Sequence, residues 1–254
     1  MIGPELLENI ARQEQTSIFP NIVREYVQHL FLTELYQLPG SEKLLFKGGT
    51  ALRIIYGSPR FSEDLDFSLF GVLPKEIESF VEGLFISVLA KLESIGIHIE
   101  ISNKSTSTSG GYFGLATFNT NGYPPINIEI NISSRKENGV QGEVDSITNN
   151  FVPTYTLYHL PQNRIVDEKI FGALVERKKP RDYYDLYFMM RKGMLSAEQK
   201  KHLGEIAQEV IDGLQHIDFQ GELGTFLPAG QQSIIRDFSQ TLEREMRNQF
   251  SFNQ

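Results

Sequence analysis

Apolar residues at three- and four-residue spacings predict helices along the first part of the chain. Between residues 20 and 36 these spacings run from Val23 to Leu35, as on a helix that turns one face to a core. Residues 4–15 and 74–95 are predicted helices as well, and the latter starts with proline, which is favoured in a first helical turn.

Strand patterns lie between and after these helices. The short apolar run at residues 44–46 is followed by two glycines and then by a helical pattern, which predicts strand, tight turn and helix. At residues 64–69 polar and apolar residues alternate at first, so Leu65 and Phe67 share one face of a strand. Three further strands are predicted at residues 98–103, 112–118 and 126–132.

The pattern changes near residue 155. A polar loop is predicted at residues 135–150, and from about residue 164 the pattern is helical to the end. We therefore predict an α+β fold, with a mixed sheet and flanking helices in residues 1–155 and a helical domain in residues 156–254.

Composition narrows the classes of function. The 254 residues include 24 Lys and Arg and 32 Asp and Glu, which gives a net charge of −8. This negative charge argues against a protein that coats nucleic acid through its overall electrostatic field. The lack of cysteine excludes disulfide scaffolds, thiolate zinc sites and cysteine nucleophiles. Because there is neither a signal-peptide pattern nor an apolar run of ~18 residues, a cytoplasmic protein without a membrane span is expected.

The first candidate site is a turn within the run from Lys47 to Phe67, KGGTALRIIYGSPRFSEDLDF. Gly48 and Gly49 would let the backbone approach a ligand closely, and the amides at a helix start favour phosphate. Thr50 is expected to cap that helix or to bind a phosphate oxygen.

Two aspartates in the same run form a candidate metal site. Asp64 and Asp66, two apart on a strand, project from one face with their Cα atoms about 6.5–7 Å apart. This arrangement suits Mg²⁺, which prefers carboxylate oxygens and keeps positions open for water and triphosphate. Glu129, on the polar face of the strand at residues 126–132, would complete a carboxylate triad, the kind of site that nucleotidyl transfer uses.

Each of these features also has an ordinary structural explanation. Adjacent glycines most often mark a simple turn, and two aspartates on a strand most often mark a solvated edge. A single glutamate on an alternating strand, such as Glu129, is equally ordinary. The order of strand, Gly-Gly turn, helix and Asp-x-Asp strand favours the functional interpretation.

A second candidate group is cationic. On an α-helix Lys169, Ala173 and Arg177 would share one face, so Lys169 and Arg177 are candidates for binding a nucleotide, Lys169 as a point charge on a triphosphate. Residues 164–192 carry eight Lys and Arg against five Asp and Glu. This local excess is a candidate surface for an RNA acceptor end.

Two more aspartates follow this segment. After the break at Pro180, Asp182 and Asp185 lie about one turn apart on a new helix. Either they have a functional role, or Asp182 caps the helix and the pair forms surface salt bridges with Arg177 or Arg181.

Both blocks resemble the AbiEii/AbiGii toxin family, nucleotidyltransferase-like toxins of type IV toxin–antitoxin and abortive-infection systems. The first block, KGGTALR…RFSEDLDF, is similar to the Gly-Gly-Ser/Thr turn and the metal-binding Asp-x-Asp of the family. The second block, EKIFGALVERKKPRDYYDLY, is similar to its Lys-bearing helix and its Arg-Asp-x-x-Asp motif. The resemblance covers residues 40–190. It implies a polymerase-β-type nucleotidyltransferase fold whose helical C-terminal domain completes the active site.

The resemblance also implies roles for single residues. Asp64 and Asp66 would hold Mg²⁺, the Gly-Gly-Thr turn the nucleotide phosphates and Lys169 the triphosphate, while Asp185 would be needed for activity. The motif does not separate Asp185 from Asp182. Thr50 stands where many nucleotidyltransferases have serine and keeps the hydroxyl.

Three hypotheses follow. The leading one is a Mg²⁺-dependent transfer of nucleotide from an NTP to RNA, at the tRNA 3′ end, by a toxin with a cognate antitoxin. The second keeps the site but makes a protein side chain or a small molecule the acceptor. The third is a non-catalytic module that binds nucleotide or a partner, which the intact Gly-Gly-Thr, Asp-x-Asp and Lys169 set argues against.

Overall fold

The structure is a computed structural model that describes residues 2–16, 18–101, 106–108, 111–120, 123–136 and 140–250. Its contacts divide the chain into two compact units. Unit 1 comprises Met1–Gly57 and Phe61–Leu160, and unit 2 comprises Ser58–Arg60 and Pro161–Gln254. The division after Leu160 falls a few residues beyond the expected position near residue 155.

Unit 1 contains the sheet and the N-terminal helices. Its helices are α1 (Pro4–Gln13), α2 (Phe19–Leu35), α3 (Gly48–Ile54) and α4 (Ile77–Ser94). Its strands are β1 (Leu44–Lys47), β2 (Leu65–Leu69), β3 (Ile97–Ile101), β4 (Thr106–Thr108), β5 (Gly111–Thr120), β6 (Ile126–Ser134), β7 (Glu143–Ile147) and β8 (Tyr155–His159).

The strands of unit 1 form one mixed sheet in the order β3-β5-β6-β2-β1-β8-β7, with β4 paired to β5. β2 runs parallel to β6 and β1 runs parallel to β8, while the other pairs are antiparallel. Because side chains alternate between the faces of a strand, Leu65 and Phe67 of β2 and the isoleucines of β6 point to the same core. Apolar residues of α2 and α4 belong to this core as well. The predicted mixed sheet with flanking helices is confirmed.

Three strands, β4, β7 and β8, lie outside the predicted ones. β7 lies within the segment predicted as a polar loop, and that prediction is wrong there. Four of its five residues are exposed because it is an edge strand with one neighbour, so it lacks the apolar pattern of a buried strand. β8, which follows it, pairs with both β7 and β1. Residues 102 and 103 of the strand predicted at residues 98–103 lie outside the described residues.

Unit 2 is helical in its described part. Its helices are α5 (Gln162–Asp167), a π-helical segment (Glu168–Leu174), α6 (Val175–Arg177), α7 (Pro180–Lys192), α8 (Ala197–Gly213), α9 (Phe219–Phe226), α10 (Ser233–Arg236) and α11 (Phe238–Gln249). Lys169 and Ala173 lie in the π-helical segment and Arg177 lies in α6, so the helix assumed for their shared face is not a regular α-helix. The shared face stays a prediction. Among the described residues no helix is both long and apolar enough to span a bilayer.

One ionisable side chain lies in the packing of unit 1. His29 of α2 is 3% exposed, and its Nδ1 lies 2.9 Å from the hydroxyl of Tyr155 on β8. Burial, together with the nearby positive charge of Arg53, lowers the pKa of His29 from 6.5 to about 3. The imidazole is therefore neutral in the folded protein at neutral and mildly acidic pH.

We expect His29 to weaken the fold on acidification. The unfolded chain protonates this imidazole near pH 6.5 and the folded chain near pH 3, so stability falls as the pH falls between these values. From pH 7.5 to 5.0, wild type should lose about 2 kcal/mol more unfolding free energy than His29→Gln. Urea denaturation at both pH values measures this, with the exposed His202→Gln as control. Equal losses in wild type and His29→Gln would contradict the assignment.

Candidate active site

The backbone where β1 turns into α3 lies directly against a carboxylate of β2. Gly48 has a φ of +83°, a conformation that side-chain-bearing residues rarely adopt, and a Cβ at this position would collide with the carboxylate of Asp66. Glycine is thus required twice, for the turn and for the close approach. The close approach seen at Gly48 is to the side chain of Asp66, and the predicted approach of this backbone to a ligand stays a prediction.

Asp66 is held between two neighbouring strands. Asn131 stands opposite it on the parallel strand β6, and its side-chain amide donates a hydrogen bond of 3.2 Å to Oδ1 of Asp66. On the other side Lys47, the last residue of β1, stands directly opposite Asp66, so both side chains leave the same face of the sheet. A carboxylate with neighbours on both strands has a defined orientation.

Thr50 has a different role from the one expected. It is 1% exposed, and its hydroxyl donates a hydrogen bond to the backbone carbonyl of Asp64. The hydroxyl therefore does not cap α3, and it fixes the backbone at the residue before β2. A contact of Thr50 with a phosphate oxygen stays a prediction. Gly48 and Thr50 together connect the start of α3 to both aspartates.

The short helix α3 is anchored at its far end by Arg53. The guanidinium donates to both carboxylate oxygens of Glu25 on α2, at 2.9 and 3.0 Å, and to Glu14 at 3.0 Å. It also lies over the ring of Phe61, 4.1 Å from the ring centroid. Such bidentate pairing holds α3, and with it the Gly-Gly-Thr turn, in a fixed position.

The third carboxylate was predicted at Glu129. Glu129 is exposed on β6, two residues before Asn131, so the side chain in contact with Asp66 is an amide rather than a carboxylate. Within the described ranges no three His, Cys, Asp or Glu side chains are grouped so that they could hold a metal ion. Two carboxylates fit Mg²⁺, which binds through one or two carboxylates together with waters and substrate phosphates. The role of Glu129 stays a prediction.

Unit 2 contains a buried ion cluster formed by Arg60, Lys169 and Asp185. Arg60 donates to Oδ1 of Asp185 from Nε at 3.0 Å and from Nη2 at 2.9 Å, and Lys169 donates to Oδ2 at 2.7 Å. Burial alone would raise the pKa of the Asp185 carboxyl, but the two cations outweigh burial and lower it. Asp185 is therefore ionised, and Lys169, predicted as a point charge for triphosphate, has a carboxylate partner.

Asp182 is the third residue of α7, and its side chain closes the start of that helix. Its carboxylate accepts a hydrogen bond from the backbone amide of Lys179, at the N-cap, and forms an ion pair of 2.6 Å with Arg177. The structural explanation therefore accounts for Asp182, and Asp185 is the aspartate that binds the two buried cations. Arg177, a predicted nucleotide-binding residue, has Asp182 as its partner.

The predicted cationic surface at residues 164–192 is largely neutralised by other elements of unit 2. Glutamates of α8, α9 and α11 lie outside that segment and match its excess of three positive charges. The ion pairs are Lys178 with Glu209, Arg181 with Glu222 and Arg191 with Glu245. Three cations of the segment therefore have acidic partners outside it, and the role of residues 164–192 as a surface for an RNA acceptor end stays a prediction.

Three side chains at these positions were not identified from the sequence. Asn131 lies on the same polar face of its strand as Glu129, and the alternation could have included it. Lys47 adjoins the Gly-Gly turn, but its position opposite Asp66 depends on strand register. Nothing in the sequence indicated that Arg60 would bind a carboxylate 125 residues away.

A family model described as "Nucleotidyl transferase AbiEii toxin, Type IV TA system" matches residues 30–248. The family predicted from the two motif blocks is therefore confirmed, and with it the class of enzyme. The match extends beyond those blocks and includes most of the C-terminal helices. No curated protein matches the chain.

Two solved structures share the fold. MenT4, a nucleotidyltransferase toxin from Mycobacterium tuberculosis H37Rv, superposes with a TM-score of 0.64 and 15% identity over 96% of this chain and 88% of its own. JHP933 from Helicobacter pylori gives a TM-score of 0.58 and 20% identity over 90% of this chain and 94% of its own. At such identities the likeness shows the fold alone.

Gly48 offers a direct test of the contact with Asp66. We expect Gly48→Ala to lower nucleotide transfer by about a hundredfold, because displacing a reacting group by an ångström costs that much. Gly57→Ala is the matched control, since Gly57 has a similar φ of +77° but a Cβ there would meet none of the described atoms within 4 Å. Steady-state transfer rates measure both, and equal rates in the two variants would refute the role of the contact.

Proposed function

The chain belongs to the AbiEii family of nucleotidyltransferase toxins of type IV toxin–antitoxin systems, and from this premise we propose that it transfers a nucleotide from an NTP to RNA in a Mg²⁺-dependent reaction. The proposed acceptor is the 3′ end of tRNA. The partner that the family implies is a cognate antitoxin.

The observation that carries this proposal is the orientation of Asp66. Its carboxylate lies against the backbone of Gly48 and accepts a hydrogen bond from Asn131. A carboxylate held in this way does not have to reorganise as charge develops during the reaction. The hydroxyl of Thr50 fixes the backbone of Asp64, two residues before Asp66.

The proposed step is an in-line displacement. The acceptor hydroxyl oxygen bonds to the α-phosphorus of the NTP, the bond from that phosphorus to pyrophosphate breaks, and the hydroxyl proton leaves to solvent. Asp64 and Asp66 would hold Mg²⁺, which supplies positive charge beside the phosphates and eases deprotonation of the hydroxyl.

The start of α3, with Gly48 and Gly49, is the proposed phosphate contact in unit 1. Gly48 and Gly49 present backbone without side chains, and α3 has no side-chain cap at its N-terminus. Amides at a helix start favour anions, which supports binding of a phosphate group there.

The paired cations of unit 2 limit how RNA would be bound. With Lys178, Arg181 and Arg191 each paired to a glutamate, the segment offers little field to attract a duplex. This supports an acceptor that is engaged through its end.

A transfer assay tests the function. Wild-type protein, Mg²⁺, total tRNA and each α-labelled NTP in turn should yield labelled tRNA with at least one nucleotide. Asp66→Asn should lower the rate by about a thousandfold, because a ligand of the reaction's metal ion is lost. Glu129→Gln should lower it too if Glu129 is a third ligand.

The exposed Glu100→Gln on β3 is the control and should behave as wild type. No label with any NTP, or an Asp66→Asn variant as active as wild type, would overturn the function. If the label appears on protein or on a small molecule instead of tRNA, nucleotide transfer is retained as the reaction and tRNA is refuted as its acceptor.

A further inference from the structure

The sheet face that carries Asp66 is covered on one side of this residue and open on the other. Leu45 of β1 and Ser68 of β2 stand opposite each other on this face, and they are 2% and 0% exposed. Glu129 of β6 belongs to the same face, because it lies two residues before Asn131, and it is exposed. In unit 1 the open approach to Asp66 therefore runs across β6 and β5.

Phe113 lies on this open side, in one row with Asp66. Strand register places Asp66 opposite Asn131 of β6 and Asn131 opposite Phe113 of β5, so the three side chains leave the same face of the sheet. Since neighbouring strands lie about 4.8 Å apart, the Cα atoms of Phe113 and Asp66 are about 10 Å apart. Leu115 of β5 stands opposite Glu129 and is on this face as well.

Phe113 and Leu115 differ in character from the rest of this open face. Every other side chain that the structure describes on this face of β3, β5 and β6 is polar, from His98 on β3 to Ser133 on β6. Both apolar side chains are partly exposed, and neither belongs to the apolar core of unit 1. The packing of that core therefore does not account for an aromatic ring at this position.

The proposed reaction decides which substrate meets this ring. In an in-line displacement the attacking oxygen and the leaving pyrophosphate lie on opposite sides of the α-phosphorus. The start of α3, which is the proposed phosphate contact, directly follows Lys47 and so lies on the β1 side of Asp66. Pyrophosphate would then leave on the β1 side, and the acceptor hydroxyl would arrive from the side of β6 and β5.

The chemistry of this surface favours a nucleobase over a phosphate. An aromatic side chain stacks on the π face of any base, and proteins commonly hold unpaired RNA nucleotides in this way. Asn131 and Glu129, which are the neighbours of Phe113 and Leu115 on β6, carry no positive charge that would attract a phosphate.

We propose that Phe113, with Leu115 beside it, stacks on the 3′-terminal base of the acceptor RNA and so presents the hydroxyl of that nucleotide to the site at Asp66. The inference rests on the proposed function, which supplies the acceptor. Phe113 binds the acceptor in this proposal and does not bind the NTP.

A binding cycle between protein and RNA tests the proposal. The probe is a synthetic acceptor-stem hairpin with an unpaired 3′ end and a fluorescein label at its 5′ end, and its pair is the same hairpin without a base on the 3′-terminal nucleotide. Fluorescence anisotropy in EDTA measures the affinity of both hairpins for wild type and for the variants.

The variants separate the ring from its bulk. Phe113→Leu keeps an apolar side chain but removes the ring, and Phe113→Tyr keeps the ring. Phe113→Met, which also lacks a ring, replaces Phe113→Leu if circular dichroism shows that the latter does not fold. Asn119→Ala is the matched control, because Asn119 is on the same strand and the same face but farther from Asp66.

We expect Phe113→Leu to bind the intact hairpin about tenfold more weakly than wild type, and Phe113→Tyr to bind it within about twofold of wild type. Asn119→Ala should bind as wild type. Wild type should bind the hairpin without its terminal base about tenfold more weakly, and Phe113→Leu should bind that hairpin as wild type does, because the ring has no base to stack on.

Three results would overturn the proposal. They are the absence of hairpin binding by wild type, equal affinities of wild type and Phe113→Leu for the intact hairpin, and a loss in Phe113→Leu that is the same for both hairpins. A raised KM for the NTP in Phe113→Leu, with hairpin affinity unchanged, would place the base of the NTP on Phe113 and would overturn the proposal too.

The binding cycle needs neither metal nor turnover, so its result is separate from that of the transfer assay. Base-dependent binding through Phe113 by a chain that transfers no nucleotide would refute the proposed function and leave the stacking contact standing. Transfer to RNA without base-dependent binding through Phe113 would support the function and refute the contact.

Discussion

Unit 1 is organised around the contact between the Gly48 backbone and the carboxylate of Asp66. That contact requires a residue without a Cβ at the end of β1, and it places the start of α3 beside the second residue of β2. The hydrogen bond from Asn131, the bond from Thr50 to Asp64 and the pairing of Arg53 with Glu25 all support the same corner from different elements. Together they orient the carboxylate of Asp66 and fix the backbone of Asp64.

In unit 2 an aspartate is oriented by ion pairs rather than by a backbone contact. There the orientation is electrostatic, since Asp185 is fully buried and its charge is compensated by Arg60 and Lys169. Asp182, three residues earlier, is also buried but serves the helix start. The two aspartates of the motif therefore have different roles. Asp182 stabilises the start of α7, and Asp185 binds Arg60 and Lys169.

The residues show why part of this could be predicted and part could not. The turn at Gly48 and the pair Asp64 and Asp66 follow from local order and strand alternation, which a sequence displays directly. Asn131 and Lys47 face Asp66 through strand register, and Arg60 meets Asp185 through tertiary packing, neither of which local pattern records. The edge strand β7 is polar and so lacks the apolar pattern by which a strand is predicted. Residues Glu168–Leu174 form a π-helical segment, whereas the sequence pattern assumes an α-helix there.

In the proposed function, the corner at Gly48 orients Asp66 for a metal ion. The most direct test of this orientation is the affinity for Mn²⁺, as a stand-in for Mg²⁺, measured by electron paramagnetic resonance with a non-hydrolysable NTP analogue present. We expect Asn131→Ala, which removes the amide donor to Asp66, to weaken Mn²⁺ binding about tenfold or more, and Asp66→Asn to weaken it further. Mn²⁺ bound equally by wild type and both variants would contradict it.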